Sequence, residues 1–454
     1  MTPPPLQARL RVPALALSVG VVLADSSIVT LGLPDVMQEF DGTVFGVSWV
    51  LTAFNLVLAL AIIPAVRFAR TTAPQRGWAI GLAVFSIASA LCASAGSEAI
   101  LIATRVVQAL GGALTVACAI EMLARLRGSH ERAVPVWAAA GTIGVSVGPA
   151  AGGLLTELLS WQAIFWVQLP MLLLLPLAAM RSPGPPEPGP EGQADLRPEV
   201  ALALLSAGLT AALFLLVVLL TEGWALSPLA AAATVSAIPI AAYAARWLIH
   251  RAGPPLSAAL AGGIAVTGGL AALGVLPGAS WALTLQPQIL IGVGLALALP
   301  VLTLAAVGGH DPHGKRAATT IAARHAGIVV GIVALAPVLS WQLDTQRERA
   351  QDSSAALLLD AEIPTETKVA LGEAIAEQIS KADGRLPQVA PAFDAVTPPA
   401  ENAEAYDELE ADVQDQIERG ATNAFSLPFL GAAAFALLSL IPIARLRATN
   451  ERDL

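Results

Sequence analysis

Charge is scarce in this chain of 454 residues: Asp, Glu, Lys and Arg make up 13%, about half the share in a soluble globular protein. That argues against an ordinary cytosolic enzyme. Aromatic residues are thin at 5%, and with Ala, Leu, Gly and Val abundant the composition suits close-packed helices better than β-sandwiches. Only two cysteines occur, Cys92 and Cys118. Both fall within apolar runs, so they read as small packing residues and imply no disulfide framework. Bases are too scattered to supply the footprint that nucleic-acid binding needs. There is no Walker-type phosphate loop, nucleophile elbow, metal-ligand cluster or pair of carboxylates within an apolar run. ATP-driven transport and enzyme catalysis therefore lose their footing, and neither a metal nor a cofactor is expected.

What the chain has instead is apolar length, with 56% of its residues hydrophobic. A bilayer crossing takes about 20 mostly apolar residues, and twelve such runs stand at 12–34, 44–66, 77–95, 99–122, 133–156, 163–180, 199–220, 226–247, 256–276, 283–306, 318–341 and 425–444. Arg9 and Arg11 before an apolar run resemble a signal peptide, but the run passes Asp25 and reaches Pro34 without a clear cleavage site. Lys and Arg stay cytoplasmic in short loops. With the N-terminus inside, 17 of the 25 bases fall on cytoplasmic segments, the five short outer loops carry none, and six sit in the long segment 343–424. A shift by one span would destroy this asymmetry. The expectation is a multi-pass protein of a prokaryotic cytoplasmic membrane with both termini cytoplasmic. Trp49, Trp161, Trp166, Trp224, Trp281 and Trp341 fall near outer ends and Trp78, Trp137 and Trp247 near inner ends, as an interfacial belt requires.

The net charge of -9 is uneven, since residues 343–424 hold 18 of 34 acids and net -12, while the other 372 residues sum to +3. The fold class is all-α, with twelve spans in two six-helix bundles. These comprise residues 1–180, a Pro-rich cytoplasmic linker at 181–198, helices seven to eleven at 199–342, an acidic extracytoplasmic cap at 343–424, and helix twelve with a cytoplasmic tail at 425–454. Within the cap, Leu371, Ile375 and Ile379 recur every four residues after a Thr365 N-cap, and Tyr406, Leu409, Val413 and Ile417 mark a second amphipathic helix stopped by Gly420. Residues 386–399, rich in proline, read as a loop or turn. The cap is either a solvated hairpin shielding the loops or a lid and docking site for a substrate or an extracytoplasmic partner.

Few charges lie within the spans, and each costs about 2.5 to 3.5 kcal/mol on insertion scales, so each calls for a partner or a role. Asp25 and Arg105 fall in the outer half of spans one and four at similar depth. A carboxylate beside a guanidinium keeps its charged form, and drawing the two apart invites a proton. They are therefore a proton switch or a fixed ion pair locking two helices. Glu121 and Arg125, four apart, read as a local surface pair. Arg324, with His325, lies one and a half turns into span eleven and is either a snorkelling anchor or a gating residue in the cavity. Asn55 and Gln108 line a polar substrate cavity or make interhelical hydrogen bonds. Gly141, Gly144, Gly148, Gly152 and Gly153 give span five a face of small residues, with Pro149 allowing a bend.

These residues resemble the major facilitator superfamily, and within it the drug:proton antiporter branch that usually has fourteen spans. Gly144-Val-Ser-Val-Gly148-Pro149-Ala-Ala-Gly152-Gly153 is similar to the fifth-helix antiporter motif G-x-x-x-G-P-x-x-G-G at every position. Leu101 to Gly111 around Arg105 resembles the fourth-helix motif, with Ala109 where Gly is usual, and Leu23 to Pro34 resembles the first-helix motif whose acid is tied to proton coupling. Trp49 to Phe54, Trp161 to Phe165 and Arg316 to Gly327 also look like stretches of that branch. The resemblance implies a proton-coupled exporter of small amphipathic or apolar molecules, embedded in lipid and working by alternating access, with Asp25 and Arg105 as the coupling pair. Three departures stand out: a helix pair is lost, the loop Val66 to Arg76 lacks the family's glycines and carries Arg70 in place of its Asp, which implies an inner gate held differently, and the acidic outer cap is much larger than the usual loop. A lipid or lipid-precursor exporter, or a membrane scaffold or receptor displaying the cap, is the alternative.

Overall fold

The computed structural model describes residues 6–71, 73–180, 183–184, 195–251, 253–276, 280–307, 313–381, 389–396 and 403–446. Most of the Pro-rich linker 181–198 lies outside them, although Arg197 and Pro198 already open a helix. Helices account for the ordered elements: α1 (Leu6–Thr30), α2 (Leu33–Glu39), α3 (Val44–Thr71), α4 (Pro74–Ala93), α5 (Glu98–Arg127), α6 (His130–Leu158), α7 (Ala163–Trp166), α8 (Leu175–Ala178) and α9 (Arg197–Val218) in the first part. There follow α10 (Pro228–Val235), α11 (Ala237–Ala245), α12 (Pro255–Gly274), α13 (Leu285–Val307), α14 (His313–Asp360), α15 (Thr365–Lys381), α16 (Ala390–Ala395), α17 (Ala403–Asn423) and α18 (Ser426–Ala444). Among the described residues, eleven helical stretches are long and apolar enough to cross a membrane. The sixth expected span is the exception: Ala163–Ala178 is apolar but breaks into α7, a 3-10 turn and α8. Pro170 and Pro176 explain the break, since each lacks an N–H and crowds the carbonyl four residues before it.

Small residues set how the helices pack, and the same pairings recur in both bundles. A Cβ on Gly144 would overlap the Gly20 carbonyl, joining α6 to α1; its counterparts Gly327 and Gly331 press α14 onto Ala203 and Ala207 of α9. Gly81 and Gly111 bring α4 against α5, as Gly262 and Gly294 bring α12 against α13. The two bundles are thus built on one plan, the mark of transporters assembled from structural repeats.

Two boundaries differ from expectation. Span one stops at Thr30, and Pro34 belongs to the first turn of the separate helix α2. Span eleven does not end near residue 341, for α14 runs through 48 residues to Asp360. The stretch after Trp341 is rich in Leu, Gln, Ala and Arg, all good helix formers, so loss of apolarity changes the surroundings of the helix without ending it.

Beyond that helix lies the cap. Leu371 and Ile375 of α15 and Tyr406, Leu409 and Val413 of α17 are buried with Leu358, Ile363, Val389 and Phe393 in a core separate from that of the membrane body. The Tyr406 hydroxyl donates to the Phe393 carbonyl at 2.8 Å. Gly420 does not stop α17, which continues to Asn423, and part of the expected loop 386–399 is the short helix α16. Because the two cores are separate, Val413→Asp should unfold the cap while leaving the membrane body intact. Protease cutting confined to residues 343–424, with an unchanged elution volume in detergent, is the expected result, and loss of the whole protein would refute it.

The tryptophans correct the belt expectation. Trp78, Trp137 and Trp161 are buried; their indole N–H groups donate to Ser18 Oγ at 3.1 Å, the Val116 carbonyl at 3.4 Å and Glu39 Oε2 at 2.6 Å. Trp49, Trp166, Trp247, Trp281 and Trp341 are exposed as an interface would have them. Position near a helix end does not say which way a ring faces. Cys92 and Cys118 are buried free thiols.

Candidate functional site

Asp25 on α1 and Arg105 on α5 meet as an ion pair with both side chains wholly buried. The pair sits in a polar cage. Arg105 Nε donates to the Val50 carbonyl of α3 at 3.2 Å, and Nη1 also donates to Gln108 Oε1 at 2.6 Å, one turn along. The guanidinium lies 4.2 Å from the Phe54 ring centroid and 5.6 Å from that of Phe165. Gln168 Nε2 donates to Asp25 Oδ1 at 2.9 Å, and Gln108 Nε2 reaches the same oxygen at 3.3 Å. Ser89 on α4 closes the ring through Gln168 Oε1 at 2.9 Å and Gln108 Nε2 at 2.8 Å. Within the cage, Arg105 Nη2 is buried without a hydrogen-bond partner. Such an arrangement holds one negative and one positive charge in an apolar body and leaves one donor unspent.

Gln108 is therefore a member of this cage. Gln168 and Ser89 escaped the sequence reading, although a glutamine in an apolar stretch is the same kind of signal as Gln108. Gln168 falls at the break between α7 and the 3-10 turn Leu169–Leu174, where helical registers no longer predict facing.

Asn55 sits elsewhere. Its Oδ1 lies 2.6 Å from His325 Nδ1 on α14 and accepts from Ser26 Oγ at 3.2 Å, while its Nδ2 donates to the Leu51 carbonyl at 2.8 Å. A buried polar bridge thus joins the first bundle to the second. Arg324, next to His325, is partly exposed. Because the crossing stretch of α14 begins at Lys315, Arg324 lies nine residues beyond its start rather than five or six. Glu121 does not pair with Arg125; its Oε1 lies 3.1 Å from His130 Nε2.

The glycine motif spans both contacts of α6. A Cβ at Gly148 would overlap Ser27 Oγ and one at Gly152 the Ile28 carbonyl, both on α1, whereas one at Gly153 would lie 2.6 Å from the Pro228 carbonyl of α10 in the other bundle. Pro149 lies inside α6, which continues through it. Further contacts cross at the same end: Gln38 Nε2 donates to Glu222 Oε1 at 3.1 Å, and the Leu229 N–H donates to Glu157 Oε2 at 3.3 Å in the first turn of α10. Asp35 stands near this seam, and burial followed by the charges of Glu157 and Glu39 pushes its carboxyl above the usual range. These contacts join the two bundles at the end that bears the cap.

A family model described as Major Facilitator Superfamily matches residues 15–339. The chain is 32% identical over 161 residues to the multidrug resistance protein Stp of Mycobacterium tuberculosis, covering 35% of this chain and 30% of that protein. It is 29% identical over 211 residues to the drug efflux pump JefA of the same species, covering 44% and 41%. It is 31% identical over 173 residues to the tetracenomycin C resistance and export protein of Streptomyces glaucescens, covering 37% and 32%. The matched stretches thus span less than half the length of these curated relatives. Among solved structures, a bacterial homologue of the human lysosomal transporter Spinster, in an inward-facing and unoccupied conformation, superposes with a TM-score of 0.64 at 16% identity, covering 98% of this chain and 99% of that one.

Proposed function

The chain belongs to the Major Facilitator Superfamily, and from that premise we propose that it is a proton-coupled exporter of small amphipathic or apolar molecules. It sits in the cytoplasmic membrane with both termini inside, the orientation that the distribution of Lys and Arg supports. The observation that carries the coupling is the buried Asp25–Arg105 pair in its cage of amides. A carboxylate that must leave its guanidinium before it can take a proton ties protonation to movement of α1 against α5. The glutamines supply donors and acceptors that can follow either charge state. Alternating access supplies the movement, with α6 sliding on the glycine faces that meet α1 and α10. The Gln38–Glu222 and Glu157–Leu229 contacts support a conformation closed at the cap end and open to the cytoplasm. The relatives named for drug efflux and antibiotic export support small molecules as cargo.

Reconstituted vesicles test the reading. With an imposed pH gradient, wild-type protein should move protons in a substrate-dependent way for at least one member of a panel of amphipathic drugs. A null response across the panel, in vesicles shown to contain folded protein, would overturn it.

A further inference from the structure

Among the described residues, the charges deepest in the membrane body are Asp25, Arg105 and Arg324, and the first two neutralise each other. Arg324 has no such partner. No described carboxylate lies within ion-pair distance of it, and its guanidinium is not placed over an aromatic ring. It stands nine residues beyond Lys315, where the crossing stretch of α14 begins, or about 14 Å at 1.5 Å per residue. That is about two turns past Arg316, inside the crossing stretch rather than among the bases that flank it.

Its direction excludes the lipid surface as well. Val330, Val333 and Trp341 are exposed on one side of α14, while Ile321, Ile332, Leu335 and Leu339 are buried on the other. At 100° per residue, Arg324 and Ile328 share the buried side, yet both are partly exposed there. Partial exposure on a protein-facing side leaves both side chains accessible among the neighbouring helices. A cation that is costly to hold within a crossing helix, with no carboxylate beside it among the described residues and still accessible, is a recognition group awaiting its counter-charge.

Building on the export reading above, we infer that Arg324 is the anion-recognising subsite of the translocation path, so that preferred cargo carries a carboxylate, sulfonate or phosphate on an apolar body. The guanidinium takes such a group through two parallel N–H bonds, and Ile328, one turn on, meets the apolar part. The neighbouring His325 holds α14 to Asn55 of α3, so an anion seated at Arg324 lies beside a bridge between the two bundles. An anionic lipid headgroup offers the same chemistry as a soluble anionic amphiphile.

The test is direct binding, which needs neither transport nor a gradient. Purified protein in phosphatidylcholine nanodiscs is titrated with a dansyl-labelled long-chain carboxylate and with its uncharged methyl ester. Wild type should bind the carboxylate roughly tenfold or more tightly than the ester, the scale of a hydrogen-bonded charge pair. Arg324→Gln should bring the carboxylate to the affinity of the ester and leave the ester unchanged, and Arg324→Lys, which keeps the charge, should retain part of the preference. Equal affinities in wild type, or a preference that survives Arg324→Gln in a monodisperse preparation, would overturn the inference. Nanodiscs containing phosphatidylglycerol identify the source: weaker carboxylate binding in wild type but not in Arg324→Gln means a lipid headgroup occupies the site, and no change means a soluble anion does. Either result upholds an anion site. A protein that shows the carboxylate preference but moves no protons refutes the coupling alone, while the converse refutes this subsite alone.

Discussion

Asp25→Asn should abolish pH-driven export, lowering it by at least tenfold while the protein still reaches the membrane. The amide keeps the shape of the carboxylate and can still accept from Gln168 and Gln108, so what disappears is the charge and the capacity to bind and release a proton. Arg105 then faces Phe54, Phe165 and neutral amides with no counter-ion. Removing one partner of a buried pair costs about 3–5 kcal/mol, and a lower melting temperature of the detergent-purified variant should accompany the lost coupling. Two variants separate these effects. Asp25→Glu keeps a titrating acid and should retain some activity, whereas Asp25→Asn with Arg105→Gln removes both charges and should recover stability without recovering coupling. An Asp25→Asn protein with full pH-driven transport would leave the pair a purely structural lock.

The second large effect is expected at Gly144. A side chain there would overlap the Gly20 carbonyl of α1, and because the obstacle is backbone, no rotamer change relieves it. Gly144→Val should force α6 and α1 apart, at a cost of about 1–3 kcal/mol or more. Little monodisperse protein should survive extraction, and what survives should not transport. Gly96 is the control: nothing lies within 4 Å of a Cβ built there, and Gly96→Ala should match wild type within about 0.5 kcal/mol. If the two variants melt alike, the close contact of α6 with α1 does not exist in the protein.

How far the sequence foretold this arrangement depended on whether the signal was periodic. Long apolar runs and the spacing of Leu371, Ile375, Tyr406, Leu409 and Val413 carry the crossing helices and the cap helices, because burial on one face leaves a period in the residues. The charges Asp25 and Arg105 stood out for a different reason: in an apolar span a charge demands a partner, and depth alone nominated the right one. Gln168 stayed hidden because the sixth span breaks, so that facing could not be counted along a helix, and Ser89, on the unbroken α4, carries no charge to single it out. The continuity of α14 past Trp341 was invisible to hydropathy, which reports the solvent around a helix and not whether its backbone hydrogen bonds go on. The role of Gly153 in touching the second bundle required the fold, since a motif on one helix does not name the helix opposite.

That continuity has a mechanical consequence. From Gly331, where α14 presses on α9, to Asp360 at its end is about 44 Å of helix at 1.5 Å per residue, continuing through Pro337. A tilt of about 10° at the glycines would swing the tip through about 8 Å over such a length. A small tilt of the crossing helix thus becomes a large displacement of the second core, which Leu358 joins near the far end of α14.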